Sequence, residues 1–127
     1  MKLIISKFDS GYMNIASEEY LMNTFADDIF YLYTNSPSII VGSHQNTYAE
    51  INHDFVAEND IKVIRRRSGG GAVYHDFGNL NYGFIFNNAG RDVDGLFKEF
   101  TRPILSAINS LGVHAEFSGR NDRTSDG

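Results

Sequence analysis

Residues 65–76 read RRRSGGGAVYHD: three arginines and a serine, three consecutive glycines, and then apolar residues before a histidine and an aspartate. Apolar and β-branched residues on both sides of the glycines predict a loop between two strands. Three glycines weaken such strands, because glycine loses more backbone entropy on folding than any other residue. Glycine also permits positive φ and lets a ligand approach successive backbone N–H groups. The segment therefore predicts either an anion-binding loop or a glycine-rich hairpin turn without a ligand.

The charges of the chain are unevenly distributed. Residues 8–61 hold nine acidic residues and no Lys or Arg, whereas residues 62–67 hold four of the eleven cations. This cluster predicts a site for an anion such as a phosphate or carboxylate, and a solvated strand edge is the alternative. Because side chains alternate along a strand, Arg66 points away from Arg65 and Arg67. Only Arg66, or only the other two, can therefore face a site directly.

Length and composition indicate one globular domain. The 127 residues carry a net charge of −5, which argues against general nucleic-acid or anionic-membrane binding, and 42% are hydrophobic, which supports a packed core. The chain has no Cys, which excludes disulfides and thiolate chemistry within it. Residues 1–7 contain an apolar run too short for a signal peptide or a membrane span. We therefore expect a cytoplasmic protein.

Hydrophobic periodicity predicts an α+β domain with mixed, largely antiparallel sheets and flanking helices. Strands are expected at residues 3–5, 29–33, 39–42, 61–66, 72–75, 79–86 and 113–117, and helices at about 12–25, 52–60 and 92–111. Turn residues at 35–38 predict that residues 29–42 form a hairpin.

The two longer helices have candidate caps and buried faces. Asp9, Ser10 or Asn14 is expected to cap the first helix. Its buried face is expected to carry Tyr12, Ile15, Ala16 and Met22. The last helix is expected to bury Phe97, Phe100, Ile104, Ile108 and Leu111. Gly112 is expected to end that helix, and Pro103 is expected to bend or interrupt it.

Other catalytic and phosphate-binding motifs do not match. A Walker loop requires Gly-Lys-Ser/Thr, whereas Ala72 follows the last glycine, and a dinucleotide fingerprint would require glycine where Tyr74 stands. The four histidines lack zinc-ligand spacing, and the chain contains no G-x-S-x-G sequence for a serine nucleophile.

Residues 65–76, continuing through GNLNY at 78–82, closely resemble the signature of lipoate–protein ligases. Further stretches resemble the family in the same order: NIA with EE at 14–19, PSIIVG with QN at 37–46, and LGV leading to GRND at 111–122. The resemblance covers nearly the whole chain and implies the fold of the biotin and lipoate ligase catalytic domain. Related octanoyltransferases share this scaffold but typically carry Gly-Gly-Arg in place of the three glycines.

The resemblance implies a two-step reaction. ATP and lipoate would give lipoyl-adenylate and pyrophosphate, with Mg²⁺ as cofactor. The lipoyl group would then pass to a lysine of a lipoyl domain in a 2-oxoacid dehydrogenase complex, or of the glycine cleavage H protein. Neither nucleic acid nor a membrane is an expected partner.

The resemblance also assigns roles to residues. Arg66, Gly71, Ala72, Val73 and Tyr74 would contact ATP, the last four largely through their backbone. Tyr33, Ser68, Gly69, Gly70 and His75 would contact the substrate. Asn121 and Asp122 would lie near the adenylate, with Asp122 also a metal ligand. From the sequence alone, Tyr33 is equally an ordinary core aromatic, His75 a structural histidine and Asp122 a turn residue.

The chain departs from the family pattern in two respects. Arg123 and Ser43 stand where the family more often has an apolar residue and an arginine, respectively. The second departure concerns a lysine. The family has a lysine shortly after an Asp-Gly pair, and residues 126–127 are Asp-Gly with no lysine after them. We therefore expect residues 1–127 to be the N-terminal part of the catalytic domain. Two alternatives remain open: a non-catalytic module that binds lipoyl-adenylate or nucleotide, and an ATP-independent octanoyl or lipoyl transferase.

Overall fold

The computed structural model describes residues 1–86, 90, 92–118 and 122–125, and the side chains of residues 93, 94, 118 and 122–125 lie outside that description. The chain divides into two compact units, Met1–Asn87 and Asn88–Gly127. Each unit combines helix with strand. Of the five pairs among the described strands three are antiparallel, so the expected α+β class with mixed, largely antiparallel sheets is confirmed.

The first unit contains two three-stranded sheets. In chain order its elements are β1 (Lys2–Ile5), α1 (Gly11–Thr24), β2 (Ile29–Tyr33), β3 (Ser38–Val41), α2 (Thr47–Glu50), α3 (His53–Glu58), β4 (Lys62–Arg65), β5 (Val73–His75) and β6 (Asn81–Ile85). The first sheet has the order β1-β2-β6 and the second the order β4-β3-β5. In each sheet the central strand pairs with one parallel and one antiparallel neighbour.

The predicted hairpin over residues 29–42 is wrong, because β2 and β3 belong to different sheets. The turn residues between these strands form a crossover that is tied to the start of the chain. Ser36 N donates to Asp9 O over 2.7 Å, and Asn14 Nδ2 donates to Thr34 O over 3.0 Å. These bonds hold the connecting residues against the segment before α1 and against α1 itself.

The core of the first unit lies between α1 and the first sheet. Leu21 of α1 packs with Ile29, Tyr31 and Tyr33, alternate residues of β2 that face the helix. This alternation is the period of a strand with one face against a helix, and it explains why the aromatic run at 29–33 forms a strand.

The predicted buried face of α1 is wrong. Tyr12 and Met22 are 53% and 60% exposed, whereas Gly11, Asn14 and Leu21 are buried. The helix begins in direct contact with the second sheet, and this contact buries Gly11. A Cβ on Gly11 would lie only 2.6 Å from Ile64 Cδ1. Ser10 caps the helix, its side chain accepting from Met13 N. Of the three expected caps, Ser10 is therefore the one used.

Asn14 is buried because it joins several segments of the first unit. Its Oδ1 accepts from Ser6 Oγ at 2.5 Å and from Tyr31 Oη at 3.1 Å. The two N–H groups of its Nδ2 are shared among three acceptors, the carbonyls of Phe8 and Thr34, each at 3.0 Å, and Asn35 Oδ1 at 2.8 Å. Every polar atom of this buried amide is thus satisfied, as burial requires.

The second unit contains α4 (Val93–Ser110), β7 (Ala115–Ser118) and β8 (Asp122–Ser125), of which β8 is not among the predicted strands. The last predicted helix is confirmed as α4, and it continues through Pro103. Gly112 after it has φ +86°, as expected for a residue that ends a helix. The side chain of Asn109 bonds both the N–H and the carbonyl of Ala115, fixing the helix end to β7.

The buried face of α4 also differs from the prediction. Leu96, Phe100 and Leu105 are buried, whereas Phe97 and Leu111 are 41% and 82% exposed. Phe100 is therefore the one member of the predicted face that is buried, whereas Ile104 and Ile108 are half-buried.

Among the described residues, no helix is both long enough and apolar enough to cross a membrane.

We predict that Asn14→Ala lowers the free energy of unfolding by about 3 kcal/mol, because it leaves buried hydroxyl, amide and carbonyl groups unpartnered. Urea unfolding followed by circular dichroism measures the change. Asn23→Ala is the matched control, since Asn23 lies exposed on the same helix. Equal stability losses in the two variants would contradict a central role for the buried amide.

Candidate functional site

The glycine loop, residues 66–72, closes around the guanidinium of Arg66. Arg66 Nη2 donates to Gly69 O at 3.0 Å and to Gly71 O at 2.8 Å, and Nε donates to Gly69 O at 3.3 Å. Nη1 donates to Ile40 O at 3.2 Å, which ties the loop to β3. Together these contacts use four of the five N–H groups of a guanidinium. Within the described residues, one N–H on Nη1 is left for a ligand.

The positions of the loop carbonyls also fix its N–H groups. The described peptide bonds are trans, so each carbonyl points opposite to the N–H of the following residue. Because the carbonyls of Gly69 and Gly71 point at Arg66, the N–H groups of Gly70 and Ala72 point away from the guanidinium. The loop therefore directs alternate N–H donors outward, an arrangement suited to an anion.

Two glycines are required where the loop meets β3. Gly70 has φ +103°, and a Cβ there would lie 2.8 Å from Arg66 Nη2. A Cβ on Gly42, just after β3, would lie 2.1 Å from Gly70 O, which no structure tolerates without movement. Ser43 N donates to Ser68 O at 3.0 Å beside this contact. The close approach of residues 42–43 thus holds the loop against the second sheet.

The cation cluster at 62–67 does not form one anion site. Lys62 pairs with Asp60 at 2.6 Å, and Arg67 pairs with Glu19 of α1. Arg65 Nη1 donates to the carbonyls of residues 42, 43 and 45, and its Nη2 donates to Thr47 Oγ1. Arg66 is therefore the member of the cluster that faces the candidate site, which is one of the two arrangements expected from strand alternation.

A cavity of about 330 Å³ lies in the first unit beside Arg66. Its lining includes five of the predicted site residues, namely Tyr33, Arg66, Ser68, Val73 and His75. Apolar walls come from Ile15, Ile40 and Leu80, and Glu18, Asn81 and Tyr82 complete it. A volume of this size is in the range of a small-molecule site. Apolar walls with a cation at one side are suited to an acyl chain that ends in a negatively charged group.

Glu18 and Tyr33 form a polar pair inside the cavity. Tyr33 Oη donates to Glu18 Oε1 at 2.8 Å. Burial raises the pKa of Glu18, and the hydrogen bond from Tyr33 and the charge of Arg66 only partly offset this. Burial and the neighbouring carboxylate also raise the pKa of Tyr33, which keeps its hydroxyl protonated. Tyr33 is thus both a core residue and a cavity residue.

His75 lies at the buried end of β5 and lines the same cavity. Its Nδ1 lies 2.9 Å from Nδ2 of the buried Asn35. Burial and, secondarily, the charge of Arg66 lower the pKa of His75, which favours the neutral ring.

The remaining predicted site residues are placed differently. Gly69, Gly70 and Gly71 are exposed in the loop, and Ala72 is half-buried beside them. Tyr74 is 52% exposed, and it alternates with the cavity-lining Val73 and His75 along β5. Asn121 lies outside the described residues. Asp122 begins β8, but its side chain also lies outside them, so its expected role stays a prediction.

Sequence reasoning did not assign Glu18 and Asn35 to the site. Glu18 lies one helical turn after Asn14, so both belong to one face of α1. An amphipathic pattern of apolar residues does not reveal this face, because the buried Asn14 and the half-buried Glu18 are polar. The available signal was the i, i+4 spacing of the two polar residues, although Ser17, Glu19 and Asn23 of the same helix are polar as well.

Comparisons with known proteins give a consistent result. Residues 10–127 match the family model described as "Lipoyl protein ligase A/B catalytic domain". The lipoate-protein ligase LplJ of Bacillus subtilis is 52% identical over 117 residues, which are 91% of this chain and 35% of that protein. The chain spans about a third of the length of such curated relatives.

Three solved structures share the fold. A bi-partite lipoate protein ligase from Thermoplasma acidophilum, studied with its E2 lipoyl domain, has a TM-score of 0.90 and 27% identity, over 98% of this chain and 51% of that one. LipL1 of P. falciparum in complex with lipoate has a TM-score of 0.83 and 31% identity, over 98% and 40%. A lipoate-protein ligase A bound with ATP has a TM-score of 0.81 and 28% identity, over 95% and 50%. These likenesses confirm the expected catalytic-domain fold.

We predict that Gly42→Ala lowers the free energy of unfolding by about 1–3 kcal/mol, because the added Cβ collides with Gly70 O and displaces the loop. Urea unfolding measures the loss. Gly69→Ala is the control, since its Cβ would meet no atom within 4 Å, and its expected change is within about 0.5 kcal/mol. A tolerated Gly42→Ala would show that β3 and the loop are not in close contact.

Proposed function

The chain belongs to the lipoyl protein ligase A/B catalytic domain family, and from that premise we propose that it is the N-terminal part of an ATP-dependent lipoate–protein ligase. In the first step, a carboxylate oxygen of lipoate attacks the α-phosphorus of ATP, and pyrophosphate leaves. In the second, the ε-amine of an acceptor lysine attacks the acyl carbon. The amide bond forms, the bond to AMP breaks, and the amine loses a proton.

The observation that carries this proposal is the position of Arg66, between the glycine loop and the cavity. A carboxylate and a phosphate repel one another, so their reaction requires fixed positive charge and N–H donors. Arg66 supplies the charge and the remaining N–H on Nη1, and the loop supplies backbone N–H groups. Because the loop carbonyls already hold the guanidinium, it needs little reorganisation when the ligand binds.

We assign the acyl chain of lipoate to the cavity. Ile15, Ile40 and Leu80 offer apolar contact, and Arg66 lies where the carboxylate would end. Tyr33, Ser68 and His75 line the cavity. Tyr33 and His75 would contact the same ligand, and Ser68 with residues 69–70 would border its activated end. The adenylate would lie against residues 71–74, with Asn121 and Asp122 as its further proposed contacts.

The relatives support the choice of ligands and acceptor. One solved structure of similar fold holds lipoate, another holds ATP, and a third was studied with a lipoyl domain. We propose the same two substrates for this chain. We also propose a lipoyl domain of a 2-oxoacid dehydrogenase complex, or the glycine cleavage H protein, as the acceptor, with the reaction taking place in the cytoplasm.

The described residues do not by themselves form a site for Mg²⁺. No group of three or more His, Asp or Glu side chains among them could hold a metal ion, and the one carboxylate that lines the cavity, Glu18, is bonded to Tyr33. Mg²⁺ prefers several oxygen ligands, including those of phosphates. Asp122 remains the proposed protein ligand, and we assign no step of the reaction to the metal.

We predict that Arg66→Lys, in a ligase containing this chain, reduces lipoate-dependent ATP–pyrophosphate exchange by about 100-fold or more, because an ammonium cannot bond the carbonyls of Ile40, Gly69 and Gly71 at once. Arg67→Lys is the control: Arg67 is an exposed member of the same cluster, and its exchange rate should stay within about twofold.

Two outcomes would count against this proposal. If Arg66→Lys exchanged as fast as the parent ligase, the loop would not position the reacting phosphate. If the parent ligase passed octanoyl or lipoyl groups from one carrier to another without nucleotide, and showed no exchange, the ATP-independent transferase would replace the ligase.

A further inference from the structure

The ring of His75 contacts the side-chain amide of Asn35, a residue to which no role has been assigned above. Asn35 lies in the crossover between β2 and β3 and is fully buried. Its Nδ2 lies 2.9 Å from His75 Nδ1. Since either tautomer of a neutral histidine is possible in principle, the proton arrangement at this contact depends on which end of the amide faces the ring.

The orientation of the amide follows from a chain of hydrogen bonds that begins at the backbone. The carbonyls of Phe8 and Thr34 can only accept, so the atom of Asn14 that lies 3.0 Å from both must be the donor Nδ2. That same Nδ2 lies 2.8 Å from Asn35, so the facing atom of Asn35 must be the acceptor Oδ1. The other end of the Asn35 amide, which faces His75, is therefore Nδ2, a donor.

A donor facing Nδ1 requires that this ring nitrogen accept. We therefore propose that Asn35 is a positioning residue that fixes neutral His75 in its Nε2–H tautomer, so that the ring offers the cavity one hydrogen-bond donor. The role of that donor in binding lipoate rests on the function proposed above. The tautomer itself does not, because it is set by residues that need no ligand.

The surroundings of the ring agree with this assignment. Protonation of Nδ1 would place two donors, from His75 and Asn35, against each other at a buried contact. Burial and the positive charge of Arg66 also lower the pKa of His75. Glu18, Tyr33, Arg66 and Tyr82 are the titratable or charged groups that share the cavity with it. Of these only Glu18 favours a cationic ring, and its side chain is bonded to Tyr33.

The direct test is the ¹⁵N NMR spectrum of the histidine ring nitrogens, recorded without ligand. We expect the wild-type protein to show His75 with a bare Nδ1 and a protonated Nε2 at neutral pH. In Asn35→Asp, the introduced carboxylate accepts from Nδ1–H, so we expect Nδ1 to become protonated and the pKa of His75 to rise. A protonated Nδ1 in the wild-type protein would overturn the proposal, whether or not the variant folds.

Asn59→Asp is the matched control, because it adds the same charge at an exposed asparagine that ends α3. Its His75 signals should match those of the wild type. If they shifted as in Asn35→Asp, a general effect of charge would account for the result, and the role of Asn35 would be wrong.

The consequence for binding is tested by titrating lipoate at a series of pH values that spans the pKa of His75 measured by NMR in Asn35→Asp. In wild-type protein Nε2 donates throughout, so affinity should stay flat. In Asn35→Asp, a rise in pH through the raised pKa of His75 removes the proton from Nε2, and affinity should fall by roughly tenfold. An equally flat profile in both proteins would overturn the role of Nε2–H as a ligand donor.

The tautomer of His75 and the affinity for lipoate can be contradicted separately. If wild-type His75 has the Nε2–H tautomer but the protein shows no affinity for lipoate, the proposed function is wrong and the positioning role of Asn35 stands. If lipoate binds but Nδ1 carries the proton, the proposed function stands and the positioning role is wrong.

Discussion

The candidate site depends on one interaction, the guanidinium of Arg66 held by three backbone carbonyls. Ile40 belongs to the second sheet, and Gly69 and Gly71 belong to the loop, so a single side chain joins the strand to the loop. A planar fork with five donors can serve all three carbonyls, and a lysine cannot. The glycines are entropically costly, and these bonds, together with the close approach of Gly42, offset that cost.

A second constraint holds His75, another residue of the cavity lining. The amide of Asn14 joins α1, the segment before it and the crossover between the sheets, and the chain of bonds continues through Asn35 to His75. Arg66 and His75 are therefore both positioned by hydrogen bonds that lead to backbone carbonyls, directly for Arg66 and through Asn35 and Asn14 for His75. Such an arrangement is rigid before any ligand arrives, which is what a site that stabilises developing charge requires. Arg66 lies within this preformed frame.

Sequence reasoning predicted the elements better than their arrangement. Strand and helix periodicity located the strand at 29–33 and the helix at 93–110, because that periodicity reflects which side chains face the core. The pairing of β2 and β3 was predicted wrongly, because turn residues such as those at 35–38 serve a crossover between sheets as well as a hairpin. Within the site, alternation correctly separated Arg66 from Arg65. Asn35 was not found, because a buried polar residue differs from an exposed one only through its distant partners.

The most direct test of the central claim is an NMR titration of the protein with lipoyl-adenylate, observing backbone amides. The account predicts that the largest shifts fall on the N–H groups of Gly70 and Ala72, which the bonds to Arg66 direct outward. The exposed amides of α3 should not move. Unchanged loop amides in a protein that binds the adenylate would contradict the account, because the ligand would then bind away from the loop that Arg66 organises.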